Sequence, residues 1–122
     1  MALYESAEMY LETIYRLSEK KGIVRSIDIA EDMGYSKPSV SRAVSLLKKG
    51  GYLIMADDGA LILTKEGKKT AQKIFERHNV LSQFLAFIGV DSEIATKDAC
   101  RIEHIVSDET IKAIKNFLEK EV

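Results

Sequence analysis

"SIDIAEDMGYSKPSVSRAVSLLKKGGYLIMADDGALILT", residues 26–64, decides the fold. Ser26 is placed to cap a helix whose apolar stripe is Ile27, Ala30 and Met33 and whose stop is Gly34. Ser36 can cap a second helix over about residues 37–49, and Pro38 is tolerated there because it falls in the first turn. Val40, Ala43, Val44 and Leu47 line one side of that helix. At about 100° per residue, Pro38, Arg42, Ser45 and Lys49 fall on the opposite side, flanked by Ser39 and Ser41. Two short helices around a tight turn containing glycine form a helix-turn-helix. "GYLIM" and "ALILT" then flank "ADDG", two β-prone runs joined through Asp58-Gly59. A hairpin directly after a helix-turn-helix makes a winged helix.

Upstream, residues 3–20 read as a helix, with Leu3, Ala7, Tyr10, Leu11, Ile14 and Leu17 at spacings of three and four and Gly22 closing it. Downstream, Thr64 begins a helical pattern through about Ile88 that puts Ala71, Ile74, Phe75, Leu81 and Leu85 on one face. "GVDS" breaks it, Asp98 to Val106 reads as another helix, and Ser107 caps a last one holding Ile111, Ile114 and Leu118. The expected fold is mostly α: an N-terminal winged helix-turn-helix over residues 1–64, then an all-helical unit over 65–122. That second half carries more apolar side chains, among them Phe84, Phe87, Ile88 and Phe117, than so small a unit readily buries alone, which predicts a homodimer.

The chain has 122 residues, 46% of them hydrophobic and 30% charged, which describes one globular domain or two small subdomains sharing a core. A single cysteine excludes an internal disulfide. No apolar run reaches the length of a membrane span, and "MALYESAEMY" lacks a basic segment followed by an apolar core. These features predict a cytoplasmic protein with no membrane partner. The net charge of −1 conceals a basic island: residues 37–55 hold Lys37, Arg42, Lys48 and Lys49 and no acid. Basic and hydroxyl side chains at a helix start suit the phosphates of a duplex, and arginine can read guanine through two hydrogen bonds. Arg25, Ser36, Lys37, Pro38, Ser39, Ser41 and Arg42 are therefore the candidate DNA-contacting residues, the helix start being the end that such motifs insert into the major groove. A basic run can also be simply a solvated helix face.

"KDACRIEHIVSD", residues 97–108, sets the only cysteine, a glutamate and one of two histidines within five positions. On a helix Cys100, Glu103 and His104 stand at i, i+3 and i+4 and project from one face. Thiolate, carboxylate and imidazole together suit a mid-to-late first-row divalent metal better than calcium or magnesium. Met9 and Glu12 share a face of the first helix, and His78 lies on the apolar stripe of the long one. Each also has an ordinary role, since methionine fills cores, free cysteine buries as a small hydrophobe and a histidine can be a hydrogen-bonded core residue.

Over nearly its whole length the sequence resembles the diphtheria-toxin-repressor family of metal-dependent transcriptional repressors. The resemblance is carried by "EMYLETIY", "IAEDMGYSKPSVSRAVSLLKKGGYL", "LTKEGKKTA", "ERHNVLSQFL" and, most specifically, "DACRIEHIVSD". It implies a winged helix followed by a helical dimerisation domain, with a divalent metal between them switching on binding of operator DNA. It also implies a primary metal site from Met9, Cys100, Glu103 and His104, and a second in which His78 is a ligand with Glu12 and Glu103 contributing. The chain resembles the short two-domain form usual among manganese-responsive relatives, which typically carry carboxylates where Met9 and Cys100 stand. A Met/Cys pair resembles the iron-responsive branch, and Ser82 stands where a carboxylate is common. The expected effector is Fe(II), then Mn(II), with Zn, Co and Ni able to bind in vitro.

Three other readings of the residues differ in class. They are a thiol enzyme using Cys100 with His104, a DNA-binding redox switch built on Cys100, and a winged-helix module that binds a protein and no metal. No glycine-rich loop or second polar constellation offers an oxyanion site, so the expectation is a regulator with no small-molecule substrate rather than an enzyme.

Overall fold

A computed structural model describes residues 5–121. Among these the elements are α1 (Glu5–Lys21), α2 (Ser26–Met33), α3 (Lys37–Lys49), β1 (Leu53–Met55), β2 (Leu61–Leu63), α4 (Lys65–Phe87), α5 (Ser92–Ile102) and α6 (Asp108–Glu121). The order is the one expected of a winged helix followed by helices. Leu3, placed in the first apolar stripe, lies outside the described residues. The chain divides into two compact units, one through Gln72 and one from Lys73. Helix α4 runs across that division: its first two turns belong to the first unit, where Ala71 joins the core. No described helix is long and apolar enough to cross a membrane.

The first unit forms around Leu11, Ile14, Val24, Ile29, Val40, Leu47 and Leu53, each essentially inaccessible. On α1 the apolar stripe Tyr10, Leu11, Ile14 and Leu17 is buried as the spacing predicts. The buried Thr13 hydroxyl donates back to the Met9 carbonyl at 2.8 Å. On α2 the core-facing residue is Ile29, not Ile27, which is 44% exposed. The stripe thus runs Ile29, Ala30, Met33, at spacings of one and three. Ser26 is not the cap of α2 either. The helix starts at Ser26, and the carboxylate of Asp28 accepts from the Arg25 N–H at 2.8 Å, satisfying a donor that the helix leaves open. The turn into α3 depends on Gly34 at φ +70°, a left-handed conformation that a side chain opposes, and its N–H closes α2 on the Ala30 carbonyl. Ser36 caps α3 as expected, accepting from the Ser39 N–H at 3.3 Å.

β1 and β2 pair antiparallel, with Leu53 opposite Leu63, Ile54 opposite Ile62 and Met55 opposite Leu61. The connection is longer than a two-residue Asp-Gly turn: Ala56 N–H donates to the Ala60 carbonyl and Gly59 N–H to the Ala56 carbonyl. Leu61 N–H also bonds the Val24 carbonyl at 2.7 Å, tying the wing to the segment before α2. At the far end Thr64 caps α4, with its hydroxyl accepting from Gly67 N–H at 3.1 Å and donating to the Gly51 carbonyl at 2.6 Å. In the second unit Leu81, Ala95, Ala99 and Leu118 are buried. Phe75, expected on the buried stripe of α4, is 38% exposed. α5 begins at Ser92 and ends at Ile102, earlier than the expected 98–106. Asp91, read as part of a break, is its N-cap, accepting from Glu93 N–H at 3.2 Å. The buried face is built on Ala95 and Ala99, too small to register as a stripe.

Two stability predictions follow from these contacts. A Cβ at Gly67 would lie 1.9 Å from the Tyr52 carbonyl oxygen. Gly67→Ala should therefore destabilise by about 1–3 kcal/mol or more through overpacking. Helix propensity alone predicts a gain of up to about 1 kcal/mol, so the sign of the urea midpoint shift decides. Asp28 takes a hydrogen bond from Lys21 Nζ at 2.6 Å and one from the Arg25 N–H, and these hold its carboxyl below the usual 3.8. A depressed folded-state value stabilises above the unfolded value and loses that contribution as pH falls through the folded one. Asp28→Asn should thus be less stable than wild type at pH 7, with the gap closing at pH below about 4 in urea titrations. A gap independent of pH would show that the carboxylate charge contributes nothing.

Candidate metal centre and nucleic-acid face

In the second unit, four potential metal donors from two segments form a chain of close pairs. His78 comes from the middle of α4. Cys100 lies in the last turn of α5, Glu103 is the residue that caps the end of that helix, and His104 follows in the turn. Although α5 ends earlier than expected, Glu103 keeps helical angles and its N–H bonds the Ala99 carbonyl at 3.0 Å. The helical spacing that joins Cys100 to Glu103 therefore survives. One Glu103 oxygen, Oε2, stands 2.9 Å from His78 Nδ1, and the other, Oε1, stands 3.2 Å from His104 Nε2. His78 Nδ1 is also 3.7 Å from Cys100 Sγ. Donors sharing an ion with bonds of about 2.0–2.3 Å stand roughly 3–4 Å apart. The spacings and the mixed oxygen, nitrogen and sulfur donor set both fit a transition-metal site.

Glu103 is 1% exposed, as is the His104 side chain, whereas Cys100 is accessible. A carboxylate so deeply buried is costly unless hydrogen-bonded, paired or coordinating a metal. Ser82, placed by the sequence where a carboxylate is common, has a buried hydroxyl that finds no hydrogen-bond partner among the described residues. Met9 and Glu12, the other ligands that the resemblance implies, are half-buried one turn apart on α1 of the first unit.

Sequence reasoning missed Arg77, which reads as one more basic residue on a helix. Its Nη1 donates to the carbonyls of Glu103 and Val106, both at 2.8 Å, and its Nη2 to the carboxylate of Asp108. The hydrogen bond from Arg77, then that from Lys73, holds the Asp108 carboxyl below its usual range. No periodicity could have shown this, because two of the acceptors are backbone carbonyls.

On the first unit, α3 presents Lys37, Pro38, Ser41, Arg42, Ser45, Leu46, Lys48 and Lys49 to solvent. Ser36 and Ser39 are partly occupied within the helix start. Ser36 Oγ donates to Ser39 Oγ at 2.9 Å, and Arg42 Nη2 lies 3.5 Å from the same Ser39 oxygen. Ser41 is exposed, as is Ser36. Arg25, itself exposed, bonds the wing tip through Nε to the Asp58 carbonyl and Nη2 to its carboxylate, both at 3.2 Å. Tyr10 and Tyr35 meet at 5.9 Å between ring centres, and burial raises the pKa of the Tyr10 phenol.

Residues 2–61 match the family described as the N-terminal DNA-binding domain of iron-dependent repressors, and residues 64–121 match the metal-binding and dimerisation domain of those repressors. A transcriptional regulator of Bacillus subtilis, MntR, is 41% identical over 114 residues, 93% of this chain and 80% of its own. MntR of Escherichia coli O6:H1 is 38% identical over 116 residues, 95% of this chain and 75% of its own. The solved structure of a manganese-dependent transcriptional repressor with manganese superposes with a TM-score of 0.85 at 29% identity. That match covers 93% of this chain and 52% of the solved one, so this chain spans about half its length. Two adjacent family matches and relatives near 40% identity agree with the resemblance that the motifs carry, and the chain belongs to the iron-dependent repressor family of metal-dependent transcriptional regulators.

Proposed function

We propose that the protein is a cytoplasmic, homodimeric repressor that grips its operator when Fe(II) or Mn(II) is held in a primary site by Met9, Cys100, Glu103 and His104, with a second site in which His78 is a ligand and Glu12 and Glu103 contribute. The observation that carries this reading is the buried Glu103 carboxylate, which has His78 Nδ1 2.9 Å from one oxygen and His104 Nε2 3.2 Å from the other, with Cys100 Sγ 3.7 Å from the same His78 nitrogen. A redox switch built on Cys100 alone, or a module without metal, leaves that arrangement without a purpose. The bound ion would supply a positive centre that compensates the Glu103 carboxylate and a Cys100 thiolate. Met9 and Glu12 would then be fixed relative to Glu103 and His104, restricting how the winged helix sits. A symmetric dimer must present two α3 helices about 34 Å apart, or a multiple of it, to reach successive major grooves. Restriction removes an ordering cost from DNA binding, and by linkage the operator tightens metal binding by the same factor. In the second unit Phe87 and Phe117 pack edge to face at 5.7 Å, yet remain 49% and 40% exposed, and Ile88 is 57% exposed. We assign this apolar surface to the dimer, whereas Leu118 is buried within the unit.

On this reading the dimer's α3 helices carry the base contacts. Arg42→Ala should weaken operator binding by about 1–3 kcal/mol and relax preference at one base position. Metal affinity of the free protein should not change. An equal loss on every sequence would make Arg42 a phosphate contact. For the metal, Met9→Asp combined with Cys100→Glu should raise the Mn(II) response relative to Fe(II) and Zn(II) in anaerobic operator-binding titrations, because carboxylates suit manganese better than thioether and thiolate do. A double variant that keeps the parental ranking of metals would show that these two residues do not set selectivity. Activation of the unmutated protein that a chelator leaves untouched would overturn the metal-dependent reading.

A further inference from the structure

Arg77 is the residue before His78 on α4, and its guanidinium is only 15% exposed. It does not ligate a metal, being permanently protonated. Instead it bonds three acceptors on the segment that ends α5 and starts α6: the Glu103 and Val106 carbonyls at 2.8 Å and the Asp108 carboxylate. The end of a helix leaves its last carbonyls without partners inside the helix, and here one rigid five-donor fork satisfies two acceptors at that end. The metal donors of this unit lie on the same two pieces of chain, His78 on α4 and Cys100, Glu103 and His104 on the 100–104 segment. Arg77 thus fastens by its backbone the very turn whose side chains must meet His78.

We infer that Arg77 is a positioning residue for the metal centre, a role that rests on the metal-dependent reading above. It sets the distance from His78 to Glu103 and His104 in advance, so little ordering remains when the ion binds. Lysine cannot replace it, because one ammonium cannot present the same planar fork to two carbonyls and a carboxylate. Charge works in the opposite direction. A guanidinium near a divalent ion repels it, so electrostatics alone makes loss of Arg77 tighten metal binding. Positioning makes the loss weaken it.

The test uses the full chain under anaerobic conditions, titrated with Co(II) and followed by its visible ligand-field bands, with Mn(II) as competitor. Arg77→Gln should weaken metal binding about 10–100-fold, the usual effect of removing a group that orients ligands, and should shift the bands. Arg77→Lys should fall between it and wild type. Lys115→Gln, which breaks the 2.6 Å Lys115–Glu76 pair between α6 and α4 without touching the turn, should keep wild-type affinity and bands. A folded Arg77→Gln with unchanged or tighter affinity would overturn the proposal, as would an equal loss in Lys115→Gln. If Arg77→Gln does not fold, Arg77→Lys decides, and wild-type bands and affinity in that variant overturn it. Wild-type protein that binds no Co(II) would overturn the metal centre itself, a failure distinct from an Arg77 variant that merely matches wild type.

Discussion

The burial of Glu103 is the constraint around which the second unit is arranged. Removing an ionised carboxylate from water costs several kcal/mol even after a protein relaxes around it. Here the carboxylate is 1% exposed and is met on one oxygen by His78 and on the other by His104. A structural role would be served as well by an apolar residue of similar volume, which is often neutral or stabilising in such places. On the proposed reading the acid is a ligand, since a divalent ion would compensate its charge more fully than two imidazoles do. The accessible Cys100 thiol beside His78 extends the same donor set outward.

In the first unit the corresponding constraint is the placement of α3. Its inner face, Val40, Val44 and Leu47, is buried, and that fixes which residues face out. The Gly34 turn, the Ser36 cap and the contacts of Thr64 with Gly51 at the other end hold the helix at both termini. Arg25 joins the start of α2 to the wing tip through Asp58, so helix and wing are presented as one surface. A helix held in this way leaves Lys37, Ser41 and Arg42 as exposed polar groups in its first half.

Much of this was legible in the sequence because periodicity and capping are local. The α3 boundaries, the Ser36 and Ser107 caps and the hairpin position all follow from residues within a few positions of each other. Cys100, Glu103 and His104 were legible for the same reason, being one helical turn apart. What was not legible depended on size or on distance along the chain. Alanines buried as Ala95 and Ala99 leave no apolar stripe, so the start of α5 was missed. Ile27 and Ile29 are chemically alike, and only packing chooses between them. The Tyr52 carbonyl that lies against Gly67 is 15 residues away in sequence, and Arg77 acts on carbonyls 26 and 29 residues away.

The most direct test of the central claim is Glu103→Gln, in which a neutral amide of the same size replaces the buried acid. Two quantities are needed from one preparation: the urea midpoint of the metal-free protein, and operator binding titrated anaerobically with Mn(II) and Fe(II). If the carboxylate is there for the ion, the metal-free variant should be as stable as wild type or more so, while metal no longer activates operator binding. A variant that loses stability but keeps the wild-type response to metal would contradict the account, because Glu103 would then be serving the fold and not the ion.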